Sequence, residues 1–253
     1  MLAMKEIGGT LERSDGERLA WRATEGANPA VVWLGGFRSD MNGAKAQTMA
    51  RWAWRQGRAF IRFDYFGHGR SSGDFAHATV TRWREDALAV IDQLTTEELI
   101  LVGSSMGAWL ACLAAMARPH RVKALVLVAP APDFTDKLMA PEIPPEGHAA
   151  LAEQGVWLRP SDYGDPYPIH RGLLEDGARW SILHGEPIPI EVPVRILQGG
   201  QDPDVPWRHA LELAHALKSP DVVFALIKDG DHRLSRPQDL ERLVAAVEEM
   251  VAL

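Results

Sequence analysis

Short apolar runs recur along the chain at Ala30 to Leu34, Arg58 to Phe63, Leu99 to Val102, Ala124 to Val128, Val194 to Leu197 and Val222 to Ile227. They are too continuous to leave one face wet, which is the pattern of strands buried on both sides of a parallel sheet. Between them, apolar residues take helical spacing over about Gly43 to Gln56, Thr81 to Leu94, Met106 to Ala117, Trp207 to Leu217 and Pro237 to Val251. Strand and helix alternation of this kind predicts an α/β fold, a mostly parallel central sheet flanked by helices on both faces. Right-handed crossovers then bring the strand C-termini to one edge, where such sheets place their chemistry.

Two stretches depart from the rhythm. Thr10 to Arg13 and Arg18 to Ala23 flank Ser14-Asp-Gly-Glu, a turn signal that predicts an opening hairpin. From about Asp133 to Glu191 no strand–helix unit is visible, but prolines, three histidines and two tryptophans are. A stretch this long inside a compact domain is usually functional. It is expected to be a small cap inserted between two strands; a surface excursion unrelated to substrate is the alternative.

Composition narrows the picture. A chain of 253 residues buries roughly 70–75% of its unfolded surface, which suits a single domain over 1–253. A net charge of −7 without a basic stripe points away from nucleic acid. There is no uncharged apolar stretch of about 18 residues to span a membrane. The N-terminus, Met1-Leu-Ala-Met-Lys-Glu-Ile-Gly-Gly, turns charged before an apolar signal region can develop. The one cysteine, Cys112, has no internal disulfide partner, and a reducing, cytoplasmic location is expected.

The candidate chemistry begins at Gly103-Ser104-Ser105-Met106-Gly107, which fits G-x-S-x-G and lies between an apolar strand and a helix rich in small residues. That context is what a nucleophile elbow needs: a serine on a strained turn, with small residues two before and two after so that strand and helix approach. Ser104 lacks both glycines at the right offset. Cys112 lies among alanines and leucines, where a buried cysteine is ordinarily an apolar filler. The first helical N–H, that of Met106, is free to bind developing negative charge.

A serine hydroxyl needs a base. Of nine histidines, His232 lies in Lys228-Asp-Gly-Asp-His-Arg, after the last strand and before the last helix. His209 and His215 fall within a helix; His148, His170 and His184 fall in the expected cap. The carboxylate that would orient the base belongs after the penultimate strand, where Gly199-Gly-Gln-Asp-Pro-Asp offers Asp202 and, as rival, Asp204. Asp229 and Asp231 are expected to shape the His232 loop. A second oxyanion donor is expected from Gly35-Gly-Phe-Arg, with Phe37 supplying the N–H; an ordinary glycine turn is the alternative. Gly67-His-Gly-Arg-Ser-Ser-Gly lacks the third glycine of a dinucleotide loop and the Lys-Ser/Thr of a P-loop, so it is expected only to turn the chain after Asp64. No His pair has zinc spacing, and neither a metal nor a cofactor is expected.

Taken together, Leu34-Gly-Gly-Phe, Phe63-Asp-Tyr-Phe-Gly-His-Gly-Arg-Ser, Gly103-Ser-Ser-Met-Gly, Asp202 with Val205-Pro206, and Asp231-His232 resemble the α/β-hydrolase superfamily over nearly the whole chain. Met41-Asn-Gly, Ile61-Arg-Phe-Asp-Tyr, Gly155-Val-Trp, Val205-Pro-Trp and Asp231-His-Arg are similar to the branch of mitochondrial palmitoyl-protein thioesterases that also cleave acyl glucuronides. The resemblance implies an α/β-hydrolase fold, a triad of Ser105, Asp202 and His232, and hydrolysis of an ester or thioester of a small molecule or an acylated protein. No mitochondrial presequence is visible, and Ala108 stands where the branch has a second glycine. Trp157, Trp180, Leu138 and Met139 of the cap are expected to form an apolar acyl pocket. A C–C bond hydrolase with the same triad, or a binding protein on a retired hydrolase scaffold, are the rival expectations.

Overall fold

The computed structural model describes residues 6–160 and 166–253. The first five residues, part of the N-terminal segment discussed above, and residues 161–165 of the expected cap lie outside the described residues.

Among the described residues, ten strands form: β1 (Ile7–Glu12), β2 (Arg18–Thr24), β3 (Ala27–Leu34), β4 (Arg58–Phe63), β5 (Leu99–Ser104), β6 (Val122–Val128), β7 (Val156–Arg159), β8 (Tyr167–His170), β9 (Val194–Gly199) and β10 (Val222–Ile227). The helices are α1 (Ala44–Gln56), α2 (Val80–Leu94), α3 (Met106–Ala117), α4 (Pro145–Gln154), α5 (Arg171–Arg179), α6 (Trp207–Ala216) and α7 (Pro237–Val251). The main sheet runs β1-β2-β4-β3-β5-β6-β9-β10. β1, β2 and β4 pair antiparallel, and every step from β4 through β3 to β10 is parallel. The opening hairpin thus becomes the antiparallel margin of a parallel sheet.

The continuous apolar runs have the expected physical cause. Successive side chains of a strand point to opposite faces. In β5, Leu99 and Leu101 pack into one core with α2 and α3, while Ile100 and Val102 pack into the other with α1 and α7. β6 divides in the same way, with Leu125 and Leu127 on one side and Ala124, Val126 and Val128 on the other. Apart from Lys123 near the start of β6 and Ser104 at the end of β5, these strands are apolar on both faces or glycine. α1 stops at Gly57, whose left-handed φ of 62° closes the helix end on the carbonyls of Ala53 and Trp54. α2 starts on Thr79, whose hydroxyl accepts the Arg82 N–H at 3.1 Å.

The segment between β6 and β9 holds more regular structure than its sequence suggests. It contains a π-helical turn (Phe134–Met139), α4, the β7–β8 antiparallel ribbon and α5. The reason is that its strands are only four residues long and α4 is entered through a proline pair. Such elements have little intrinsic signature and are stabilised by packing. Two buried carboxylates tie the segment down. Asp133 accepts the N–H groups of Ile182 and Leu183 (2.9 and 2.8 Å) and the Ser181 hydroxyl (2.7 Å), joining the two ends of the segment. Asp176 accepts both the N–H and the hydroxyl of Thr81 on α2 at 2.7 Å. Among the described residues, no helix is long and apolar enough to cross a membrane.

Candidate active site

β5 delivers its chain to Ser105, and α3 begins at Met106. Ser105 takes φ 55° and ψ −120°, a conformation disfavoured for any residue with a side chain. The turn survives because its surroundings over-determine it. The Ser105 N–H donates to Val128 at 2.9 Å, and the Ser105 carbonyl accepts from Ala108 at 3.0 Å. The flanking glycines are required by space: a Cβ on Gly103 would lie 2.4 Å from the Gly107 carbonyl oxygen, and one on Gly107 would lie 2.1 Å from that of Leu34. The tight turn projects the serine hydroxyl at the C-terminal edge of the sheet.

Two other strands end at the same edge. After β9, Gly200 donates to Ile227 at 2.7 Å and Gln201 to Gly230 at 2.9 Å, so the β9 and β10 loops run side by side. A Cβ on Gly199 would come within 2.5 Å of the Asp231 carbonyl oxygen. This contact brings His232 to both partners. Its Nε2 lies 3.1 Å from Ser105 Oγ and its Nδ1 lies 2.8 Å from Asp202 Oδ2. With the carboxylate as acceptor, Nδ1 carries the proton and Nε2 is left to accept from the serine. The Asp202 side chain is fully buried, whereas that of His232 keeps 23% of its surface exposed.

Asp204 stands outside this arrangement: it is exposed, and only its backbone N–H meets Asp202 Oδ1, at 2.9 Å. Asp202, Asp204 and His232 do bring ligand-capable atoms within 4.8 Å of one another. Asp202 has no lone pair to spare for an ion, because its oxygens already accept from Asp204, Val205, Gln198 and His232. The neighbouring acids shape the loop. Asp231 accepts the Leu234 N–H at 2.9 Å, and Asp229 pairs with Arg236 at 2.7 Å.

The Gly35–Arg38 loop lies against the serine turn. A Cβ on Gly36 would stand 3.3 Å from the Ser104 carbonyl oxygen and 3.4 Å from Ser105 Cβ, so the two backbones run in close contact. Met106 begins α3 directly after Ser105, and Phe37 follows Gly36 in the loop that meets the serine turn. The Gly67–Gly73 segment does more than turn the chain. His68, which is buried, donates from Nδ1 to the Phe66 carbonyl (3.0 Å) and accepts the Arg38 N–H at Nε2 (3.1 Å). Burial lowers its pKa and keeps the ring neutral, as this acceptor role demands. Asp64 accepts the N–H groups of Met41 (2.7 Å) and Arg70 (2.8 Å), and Gly69 is needed because any Cβ there would strike its carboxylate. Nothing in the sequence singles out His68 as the prop of the Phe37–Arg38 turn; its place in Gly67-His-Gly is the one signal.

The other anticipated residues fall as follows. Trp180 donates from its indole to the Thr81 hydroxyl at 2.7 Å and lies under the Arg84 guanidinium at 4.4 Å, which fastens the inserted segment to α2. Trp157 packs on Gly147 of α4. Met139 is buried and Leu138 packs against the same core. The rings gathered around Phe37 are instead Phe75, Trp83, Phe134 and Tyr167, at 5.2 to 6.1 Å between centroids. Cys112 is fully buried, and burial pushes its thiol up to about 12, so it holds no thiolate at neutral pH.

This geometry has known counterparts. The family described as Serine aminopeptidase, S33 matches residues 27–171, more than half of the chain. The chain belongs to this α/β-hydrolase family. Within it, the chain is 37% identical to palmitoyl-protein thioesterase ABHD10, mitochondrial, of Mus musculus over 244 residues, covering 95% of this chain and 81% of that protein. The solved structure of mouse α/β-hydrolase domain-containing protein 10 superposes with a TM-score of 0.89 at 36% identity, covering 97% of this chain and 98% of that one. A crystal structure of a protein from Agrobacterium vitis S4 matches at 43% identity and a TM-score of 0.92, covering 99% and 100%. The chain is an α/β-hydrolase of the branch that includes ABHD10.

Proposed function

We propose that this α/β-hydrolase cleaves carboxylic esters or thioesters through an acyl-enzyme on Ser105. The observation that carries the reading is the continuous hydrogen-bonded line from Ser105 Oγ through His232 (3.1 Å) to buried Asp202 (2.8 Å). In this mechanism His232 Nε2 takes the serine proton as Oγ attacks the substrate carbonyl. Asp202 holds the imidazole in the required tautomer and stabilises the imidazolium. The oxyanion is bound by the N–H groups of Met106 and Phe37. His232 then protonates the leaving alcohol or thiol. Water, activated by the same ring, releases the acid and restores the serine.

The name thioesterase, carried by the ABHD10 relatives, supports a thioester among the substrates, either a small molecule or an acylated protein. Residues 133–191, between β6 and β9, act in this reading as a cap that shapes the acyl site. The test is hydrolysis of a chain-length series of p-nitrophenyl esters and acyl thioesters by wild type and by Ser105→Ala. Wild type should turn them over, and the variant should lose kcat by several orders of magnitude, toward the ~10⁶ seen on removing the triad serine of another hydrolase. An inert wild type, or an equally active variant, would overturn the reading.

A further inference from the structure

Arg38 occupies an unusual position. Gly36 to Ser39 form a tight turn closed by the Ser39 N–H on the Gly36 carbonyl at 3.2 Å, and Arg38 is the third residue of that turn, with φ 55°. That position ordinarily belongs to glycine or asparagine, which bear a positive φ with little strain. An arginine there costs stability, so the side chain has to return something elsewhere.

Its packing also differs from that of the other anchored arginines. Arg62, Arg82, Arg195 and Arg236 are each paired with carboxylates. Among the described residues, no carboxylate or carbonyl accepts from the Arg38 guanidinium. Instead its flat face lies 4.6 Å from the Tyr167 ring and 5.6 Å from the Phe75 ring. Tyr167 belongs to β8 of the inserted segment, and Phe75 to the body. Both rings also contact Phe37, whose N–H is the proposed oxyanion donor. Stacking satisfies the face of a guanidinium and leaves its N–H fork unpaired at the edge. The His68 bond to the Arg38 N–H fixes the backbone from which this exposed side chain projects, in the loop that meets the serine turn. The protein as a whole carries −7, so an anion is drawn to this place only by a local cation.

We propose that Arg38 is a specificity-determining residue that binds an anionic group, a carboxylate or phosphate, on the ester or thioester substrate. The proposal rests on the reading of Ser105 as the nucleophile. The anion could be carried by the acyl part or by the leaving group, and matched substrates separate the two. Mono-p-nitrophenyl glutarate against p-nitrophenyl butyrate tests the acyl side. S-butyryl mercaptoacetate against S-butyryl mercaptoethanol tests the leaving side.

The readout is the ratio of kcat/KM for the anionic over the neutral member of each pair. Arg38→Asn, which tolerates the left-handed turn, should lower that ratio about tenfold in at least one pair, the scale of one charge-assisted hydrogen bond. Arg38→Lys should recover part of it. In wild type, raising salt from 20 to 500 mM should lower the same ratio, a check that needs no variant to fold. If both ratios are unchanged by Arg38→Asn and by salt, the guanidinium only pins the inserted segment to the body and the proposal fails. Should wild type cleave the neutral esters in a Ser105-dependent way while this happens, the hydrolase reading stands without it. If wild type cleaves neither member of either pair, both fall.

Discussion

The Nδ1–H of His232 donates to Oδ2 of Asp202 at 2.8 Å, and that carboxylate is itself fixed by the N–H groups of Asp204 and Val205 and the amide of Gln198. An acceptor this constrained sets both the direction and the tautomer of the imidazole. Asp202→Asn should therefore lower kcat by about 10⁴, the loss that follows when a triad histidine is held in the wrong tautomer. Asp204→Asn, which touches the site only through its backbone, should stay within a few-fold of wild type. Steady-state kinetics on one p-nitrophenyl ester checks both, and equal losses would remove Asp202 from its assigned role.

His68 bonds the Arg38 N–H and thereby holds the turn that presents Phe37. His68→Leu keeps bulk but removes the acceptor. The expected result is a fall in kcat of roughly tenfold or more with a smaller change in KM, because a displaced oxyanion donor weakens the transition state more than the bound substrate. A rise in KM at unchanged kcat would mean that His68 serves substrate binding instead.

Lys45, on α1, donates its ammonium to the carbonyl of Arg233, the residue after His232. Burial depresses its pKa to about 8, against the attraction of Asp231. In an unfolded chain the same amine titrates near ~10.4. Between these values the unfolded chain holds a proton that the folded protein has released, so stability from this group rises with pH across that window. Wild type should accordingly gain thermal stability relative to Lys45→Met between pH 7.5 and pH 10. Melting curves of both proteins across that range test the sign, and a difference that shrinks with pH would contradict it.

Trp180 is a fastener between the inserted segment and α2. Trp180→Phe keeps the ring beneath Arg84 and deletes the N–H that reaches the Thr81 hydroxyl. A loss of about 1 kcal/mol is expected, the typical worth of one such bond, measurable by urea denaturation. Chain-length preference of the same variant and of Trp157→Ala then separates anchoring from acyl recognition: a shifted optimum assigns the ring to the acyl pocket.

The sheet was legible in the sequence because burial on both faces leaves an unbroken apolar signature, as in Leu99–Ser104 and Val122–Val128. The convergence of Ser105, Asp202 and His232 at one sheet edge was legible because each follows a strand with a glycine-marked turn. Their mutual distances follow from the side-by-side run of the β9 and β10 loops. The insertion between two strands was legible as a break in the rhythm, but the elements inside it were not. Its ribbon and short helices depend on Asp133 and Asp176, two acids whose burial becomes evident only when both ends of the segment meet. The placements of His68, Lys45 and Arg38 were hidden for the same reason: each makes its contacts across a long sequence separation, on backbone or rings that periodicity does not bring together.

The central claim is that Ser105 is the nucleophile. Treatment with a fluorophosphonate, followed by intact-mass and peptide mapping, tests it most directly. One adduct on the peptide bearing Ser105, lost in Ser105→Ala and strongly slowed in His232→Ala, is the predicted result. An adduct on another residue, or no adduct while ester hydrolysis persists in Ser105→Ala, would contradict it.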